Sequence, residues 1–294
     1  MQEPWATYAA MKPFIILAAC ALGGISSPVR AAGGGTHITA PEALTLIKSG
    51  NARFVSGQSI HPRLTPERMQ ETTQLGQKPF ATVLASSDSR VPVETVMDQG
   101  IGDLFVIRVA GNVVDVDEAG SIEFAVGHLD TPLLVVMGNT RCPAVAAAVE
   151  GSELGENIMP LVAKIVPAVE RAQLRYPNAK DDELVQWAVQ ENIGQSITDI
   201  LDNSLAIAKK VEDGKLMLVG ALYEVHSGQI RWMSKHPQVR MLETRGERAR
   251  EKARSEAEAA AKKLAPRPAA QPKEEPINPT APQKPTEPPR PEGS

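Results

Sequence analysis

Cysteine is nearly absent: Cys20 and Cys142 are the two thiols in a chain of 294 residues. That count excludes a disulfide scaffold and a zinc site built from cysteine alone. It leaves room for one bridge, or for one metal shared with other residue types. An excess of positive charge is also missing. The formal net charge is -4, so no basic face for phosphate is expected and nucleic acid is not a predicted partner. No Gly-Lys-Ser loop cradles a phosphate, and Gly100-Ile101-Gly102 lacks the further glycine of a dinucleotide fingerprint. Ser86 lacks the flanking glycines of a nucleophile elbow. The apolar run Pro13 to Ile25 is short of the roughly 20 residues of a membrane span. What remains is 42% hydrophobic and 22% charged, a globular composition, on a chain long enough to bury a core without cross-links.

The two ends differ from the middle. Met11-Lys12, the apolar run and Ser26-Ser27-Pro28-Val29-Arg30-Ala31 form a basic, an apolar and a small-residue region in order. This reads as a secretory signal over residues 1–31, cut after Ala31, with Met1 or Met11 as the start and residues 32–40 as a linker. Leu17-Ala18-Ala19-Cys20 also fits a lipoprotein signal, with Cys20 as the lipidated residue. The protein is therefore expected to be exported, periplasmic or secreted, or lipid-anchored through Cys20. At the far end, residues 241–264 are rich in Ala, Glu, Lys and Arg and predict a solvated helix. Residues 265–294 are proline-rich and predict a disordered tail, either a spacer or a docking segment for a protein or the cell wall.

Residues 41–240 read as one α/β domain. Pro41 opens a helix capped near Thr39 or Ala40 and ending at Gly50. Four apolar runs suit buried strands: Ala81 to Ala85, Leu104 to Val109, Leu133 to Met137 and Leu216 to Ala221. Helical patterns lie between them, at Ser121 to Leu129, Ala144 to Glu150, Met159 to Tyr176 and Glu183 to Lys210. Alternation of this kind predicts a mainly parallel sheet with helices on its faces. Gln229 to Met233, following Ser227-Gly228, is expected as an antiparallel edge strand. Functional residues of such sheets sit past the carboxyl ends of the strands. Two loops qualify: Ser86 to Pro92 and Gly138 to Pro143.

The stretches NARFVSGQ, ATVLASSDSRVPVE, GDLFVIRVAGNVV, GSIEFAVGHL, PLLVVMGNTRCPAV and GKLMLVGALYEVHSGQI occur in this order. They resemble the β-class carbonic anhydrases, and the resemblance runs from about Pro41 to Met233. It implies the fold of that family: a mainly parallel four-stranded sheet with an antiparallel edge strand, flanked by helices. It also implies a homodimer or higher oligomer with the N-terminal helices wrapped over the partner. In that family zinc is held by the first Cys of a Cys-x-Asp-Ser-Arg motif and by the two ends of a His-x-x-Cys motif. Here those motifs read Ser86-Ser87-Asp88-Ser89-Arg90 and Asn139-Thr140-Arg141-Cys142. Ser86 and Asn139 stand at two of the expected ligand positions. Cys142 is retained, as is the pair Asp88 and Arg90, and Pro143 replaces the glycine usual after the last cysteine.

Zinc favours thiolate, imidazole or carboxylate. A serine hydroxyl does not ionise where a thiol does, and an amide oxygen is a hard, weak donor better matched to calcium. Zinc is therefore expected to be weakly held or absent. The hydroxide nucleophile that zinc generates at neutral pH would be lost with it. None of the five histidines offers an obvious replacement: His128 lies on a helix, His226 in the hairpin turn, and His37, His61 and His236 at the margins. Two functions follow from the resemblance. One is a catalytically impaired homologue, a pseudoenzyme serving as a binding or structural module, with Arg90 free to hold bicarbonate or another small anion. The other is carbonate dehydratase (lyase) activity, reversible CO2 hydration, at an altered metal site using Asp88 and Cys142 with Ser86 or Asn139 as third donor. Asp88 and Arg90 also have a purely architectural reading, as an ion pair ordering the loop after the first strand. Arg108 to Asn112 resembles a family motif at the second strand end, where Gly111 permits close packing.

Overall fold

The computed structural model describes residues 38–264. The signal and linker residues up to 37, Cys20 and the tail 265–294 lie outside the described residues. The chain divides into two compact units at Arg250, and each is described by itself.

Five strands form one sheet in the order β2-β1-β3-β4-β5: β1 Ala81–Ser86, β2 Leu104–Val109, β3 Leu133–Asn139, β4 Met217–Tyr223 and β5 Ile230–Trp232. The first three pairings are parallel and β4–β5 is antiparallel. This is the expected architecture. Strands β1 and β3 lie inside the sheet and are buried at every position, which is why both read as unbroken apolar runs. One face carries the cluster of Leu84, Leu134 and Val136 under the helices, and the other carries Val83, Val135 and Met137.

Helix α1 spans Ala40–Val55, with Thr39 and Glu42 forming a capping box. It runs past Gly50, where the sequence suggested a stop. A Cβ at Gly50 would stand 1.8 Å from the Met97 carbonyl oxygen, so this glycine permits a close approach and ends nothing. Two helices had no strong sequence signal: α2 (Pro66–Leu75), capped by Thr65, and the single turn α3 (Val93–Val96). Helix α4 begins at Val116, ahead of the expected Ser121, because Asp115 and Glu118 form a capping box; residues Phe124–His128 then wind as a π-helix. Helix α5 covers Pro143–Glu150.

The expected helix from Met159 to Tyr176 is two, α6 (Met159–Ala163) and α7 (Val166–Arg175), each with a proline in its first turn. The long pattern to Lys210 is likewise two, α8 (Asp181–Asn203) and α9 (Leu205–Glu212). Ser204 interrupts it by accepting from the Ile207 amide as a new N-cap. The final helix, α10 (Pro237–Leu264), starts earlier than the composition suggested. Val239 and Leu242 are buried in the core, so its first turns are packed and not solvated. Farther along, Lys252–Glu256 and Arg254–Glu258 are exposed i,i+4 pairs, in keeping with a solvated segment. No helix among the described residues is long and apolar enough to cross a membrane.

Candidate functional site: a polar loop at the carboxyl ends of β1 and β3

Ser86 ends β1 and Asn139 ends β3, and the two strands are direct neighbours. Cys142, three residues on, is the N-cap of α5. Parallel pairing therefore brings both expected loops to one edge of the sheet. Ser86 is 2% exposed and Asn139 and Cys142 are 1% exposed, so all three are buried. Cys142 is a free thiol.

Asp88 is the hub. Its Oδ1 accepts from the Arg90 backbone N–H and from Arg90 Nε, both at 3.0 Å. Its Oδ2 accepts from Arg90 Nη2 at 2.6 Å and from Asn139 Nδ2 at 3.2 Å. Ser86 Oγ accepts from the Asp88 amide at 3.2 Å. Arg90 Nη2 also donates to the Arg141 carbonyl at 2.9 Å, tying this loop to the one after β3. Arg141 itself adopts a left-handed backbone, φ 54°. From β2, Arg108 donates through Nε to the Ser86 carbonyl (3.1 Å) and through Nη2 to the Asp88 carbonyl (2.7 Å). Below it, Gly111 and Asn112 are clamped by Asn192 and Ser196 of α8.

The Arg90 guanidinium holds the Asp88 carboxyl below the usual carboxylate range, against the opposing effect of burial. Asp88 is thus an anion with every bond directed at an internal partner. A depressed carboxyl contributes stability that is complete above its unfolded value of about 3.9 and is lost as pH falls through the lower folded value. Arg90→Gln is expected to lower stability at pH 7 by about 1–3 kcal/mol and to weaken the pH dependence below about 4. The low end applies, since the Arg90 side chain is 47% exposed and screened by water. Urea titrations at pH 7 and at pH 3 measure both effects.

Two further residues join the site without having been singled out as ligands or catalytic groups. Arg108 was read only within a loop motif. Tyr223 lies within the stretch GKLMLVGALYEVHSGQI, with no role of its own assigned from sequence. It ends β4 directly opposite Asn139, and burial, then the Asp88 and Glu224 charges, push its hydroxyl up. Its placement at a strand's carboxyl end was the available signal. None of the described histidines bonds to Ser86, Asp88, Asn139 or Cys142, although His226 lines a cavity with Thr140 and Arg141. His128 and His226 are exposed, and His128 packs against Phe124 with ring centroids 5.5 Å apart. His61 lies 3.9 Å from Asp98.

The residues at the expected metal positions do not fit zinc. They supply one neutral hydroxyl, one amide and one thiol, while both oxygens of the nearby carboxylate are already bonded. Asn139 turns its Nδ2 donors to Asp88 and the Thr140 carbonyl, leaving a buried Oδ1 without a partner. Among the described residues no three His, Cys, Asp or Glu side chains converge in a way that could hold a metal ion.

Sequence and fold comparisons place this parallel sheet and its Asp–Arg loop in a family. The sequence model of the carbonic anhydrase family matches residues 81–230. The chain is 38% identical over 184 residues to a carbonic anhydrase of Mycolicibacterium smegmatis, covering 63% of this chain and 88% of that protein. It is 36% identical over 187 residues to carbonic anhydrase 2 of Mycobacterium tuberculosis, covering 62% and 87%. The crystal structure of the β-carbonic anhydrase CafA of Aspergillus fumigatus superposes with a TM-score of 0.55 at 27% identity, over 69% of this chain and 94% of that one. This chain belongs to the carbonic anhydrase family, in its β class.

Proposed function

We propose that this is an exported β-carbonic anhydrase homologue that has lost zinc hydration chemistry and serves as a binding or structural module. The observation that carries this reading is the redirection of Ser86 and Asn139. Both engage Asp88 through bonds that hold a loop together, and neither supplies the anionic or imidazole donor that zinc favours. Enzyme activity at an altered site would require Asp88 to leave Arg90 for a metal beside Cys142. The two-pronged Arg90 pair and the Asn139 bond oppose that.

Bicarbonate or another small anion is the ligand that the retained residues suit. Arg90 and Arg108 each keep Nη1 without a hydrogen-bond partner among the described residues. A homo-oligomer is part of the proposal. Ile60, Leu64, Met69 and Leu75, in and beside α2, are exposed apolar side chains that a second copy would cover. Export rests on residues 1–31, with lipidation at Cys20 as the variant that the mass of the mature N-terminus distinguishes. The proline-rich tail then serves as a spacer or as a contact for a protein or the cell wall.

The test is metal content and CO2 hydration of the purified mature protein. Substoichiometric zinc and hydration at the uncatalysed rate are expected. Stoichiometric zinc together with hydration would overturn the proposal.

A further inference from the structure

The start of α10 is held by an interface outside the site just described. Val239 and Leu242 enter the core. Gln238 Nε2 donates to Asp202 Oδ1 of α8 at 2.7 Å. Arg245 makes two 2.8 Å bonds to the Glu212 carboxylate at the end of α9. Gly246 lies so near the Glu212 carbonyl that a Cβ would stand 1.7 Å from its oxygen. These contacts dock the first turns of α10 on the body of the domain.

His236 sits at the hinge of this dock. It precedes the helix, and its carbonyl accepts from the Arg240 amide at 3.0 Å, closing the first turn. Its ring lies over Gly194 of α8, with Cδ2 and Nε2 each 3.8 Å from the place a Cβ would occupy. Its Nδ1 is buried and has no hydrogen-bond partner.

Three packed elements bring charges to this corner. From α7, the positive charge of Arg171 disfavours a charged ring, after burial. From α8, Glu191 is engaged by Arg171 (3.6 Å) and Arg175 (2.7 Å), and Asp199 lies within the field of Arg171 and Asp202. Beside His236 itself, Lys235 pairs with Glu243. Among the described residues no carboxylate forms a hydrogen bond or ion pair with His236. A proton added to the ring would therefore be repelled by the Arg171 charge, with no partner for the buried Nδ1.

We propose that His236 is a proton-operated latch: neutral, it seats the first turns of α10 on α8, and protonated, it releases them. Burial first, and Arg171 second, push the imidazole below the ordinary histidine value of about 6.5. The released segment regains that ordinary value. Release therefore takes up a proton, docking is complete above about pH 6.5, and it weakens as pH falls below. One unit below, at pH 5.5, the released form should gain up to about tenfold over pH 7.5.

Hydrogen exchange on the full chain, corrected for intrinsic rates, tests this. Peptides from residues 237–250 should lose up to about tenfold in protection between pH 7.5 and 5.5, while peptides from β1 and β3 do not. His236→Leu should abolish the pH response, since no proton can be gained. Arg171→Gln should narrow it, since the repelling cation is gone. Equal protection at the two pH values in the parent protein would overturn the latch. So would a pH response in His236→Leu as large as the parent's.

Discussion

The double variant Ser86→Cys, Asn139→His is expected to take up about one zinc per chain and to hydrate CO2, where the parent protein is expected to do neither. The reason lies in what the scaffold keeps. Ser86 and Asn139 end adjacent parallel strands, and Cys142 follows at the N-cap of α5, so thiolate, imidazole and thiolate would converge at one edge of the sheet. The new side chains are ionisable or basic where the present ones are neutral. The gain in zinc affinity should be on the order of a thousandfold or more, given the 10–16 kcal/mol that complete structural zinc sites supply.

The substitutions remove one acceptor and one donor from Asp88, yet Arg90 keeps three bonds to it, so the loop should persist. The buried, unpartnered Asn139 Oδ1 disappears as well. Metal analysis and stopped-flow hydration, beside circular dichroism to verify folding, read the outcome. A folded double variant that binds zinc no better than the parent would show that the loops cannot present three ligands together. A parent protein already loaded with zinc would remove the premise.

Ile193→Ala is expected to cost about 3–4 kcal/mol, in the middle of the range for buried isoleucine truncations. Ile193 is fully buried on α8 and seated in a furrow made by two glycines. A Cβ at Gly138 of β3 would stand 2.8 Å from Ile193 Cγ1, and one at Gly220 of β4 would stand 3.0 Å from Cγ2. With backbone on two sides, neighbouring side chains cannot collapse into the space that truncation leaves. The urea midpoint should fall with the slope unchanged. A loss under about 1 kcal/mol would mean that α8 does not seat in this furrow.

Local pattern carried some elements and misled on others, for identifiable reasons. The buried strands were legible because both faces of β1 and β3 are covered, so their sequences are apolar without interruption. Gly50 was misread because a glycine placed for close approach to Met97 is spelled like one placed to end a helix. Gly246, in a helix of charged residues, carries the same ambiguity. The break at Ser204 was hidden because both flanking segments keep a helical period. Arg108 and Tyr223 could not be placed in the site from their neighbours in sequence. They reach it from β2 and β4, on either side of the β1–β3 pair.

By itself, the sequence determined the chemical inventory at the strand ends. One thiol, a hydroxyl and an amide stand where the family resemblance expects two thiolates and an imidazole, and folding cannot change what kind of donor a side chain is. Only the tertiary structure decided what those groups now do. Ser86 and Asn139 are bound to Asp88, Arg90 bridges to the Arg141 carbonyl, and Arg108 closes the loop from the neighbouring strand. Except for the Ser86 bond, these partners lie 20 to 51 residues apart in the chain. Their meeting depends on strand order and parallel register, and no local pattern encodes either.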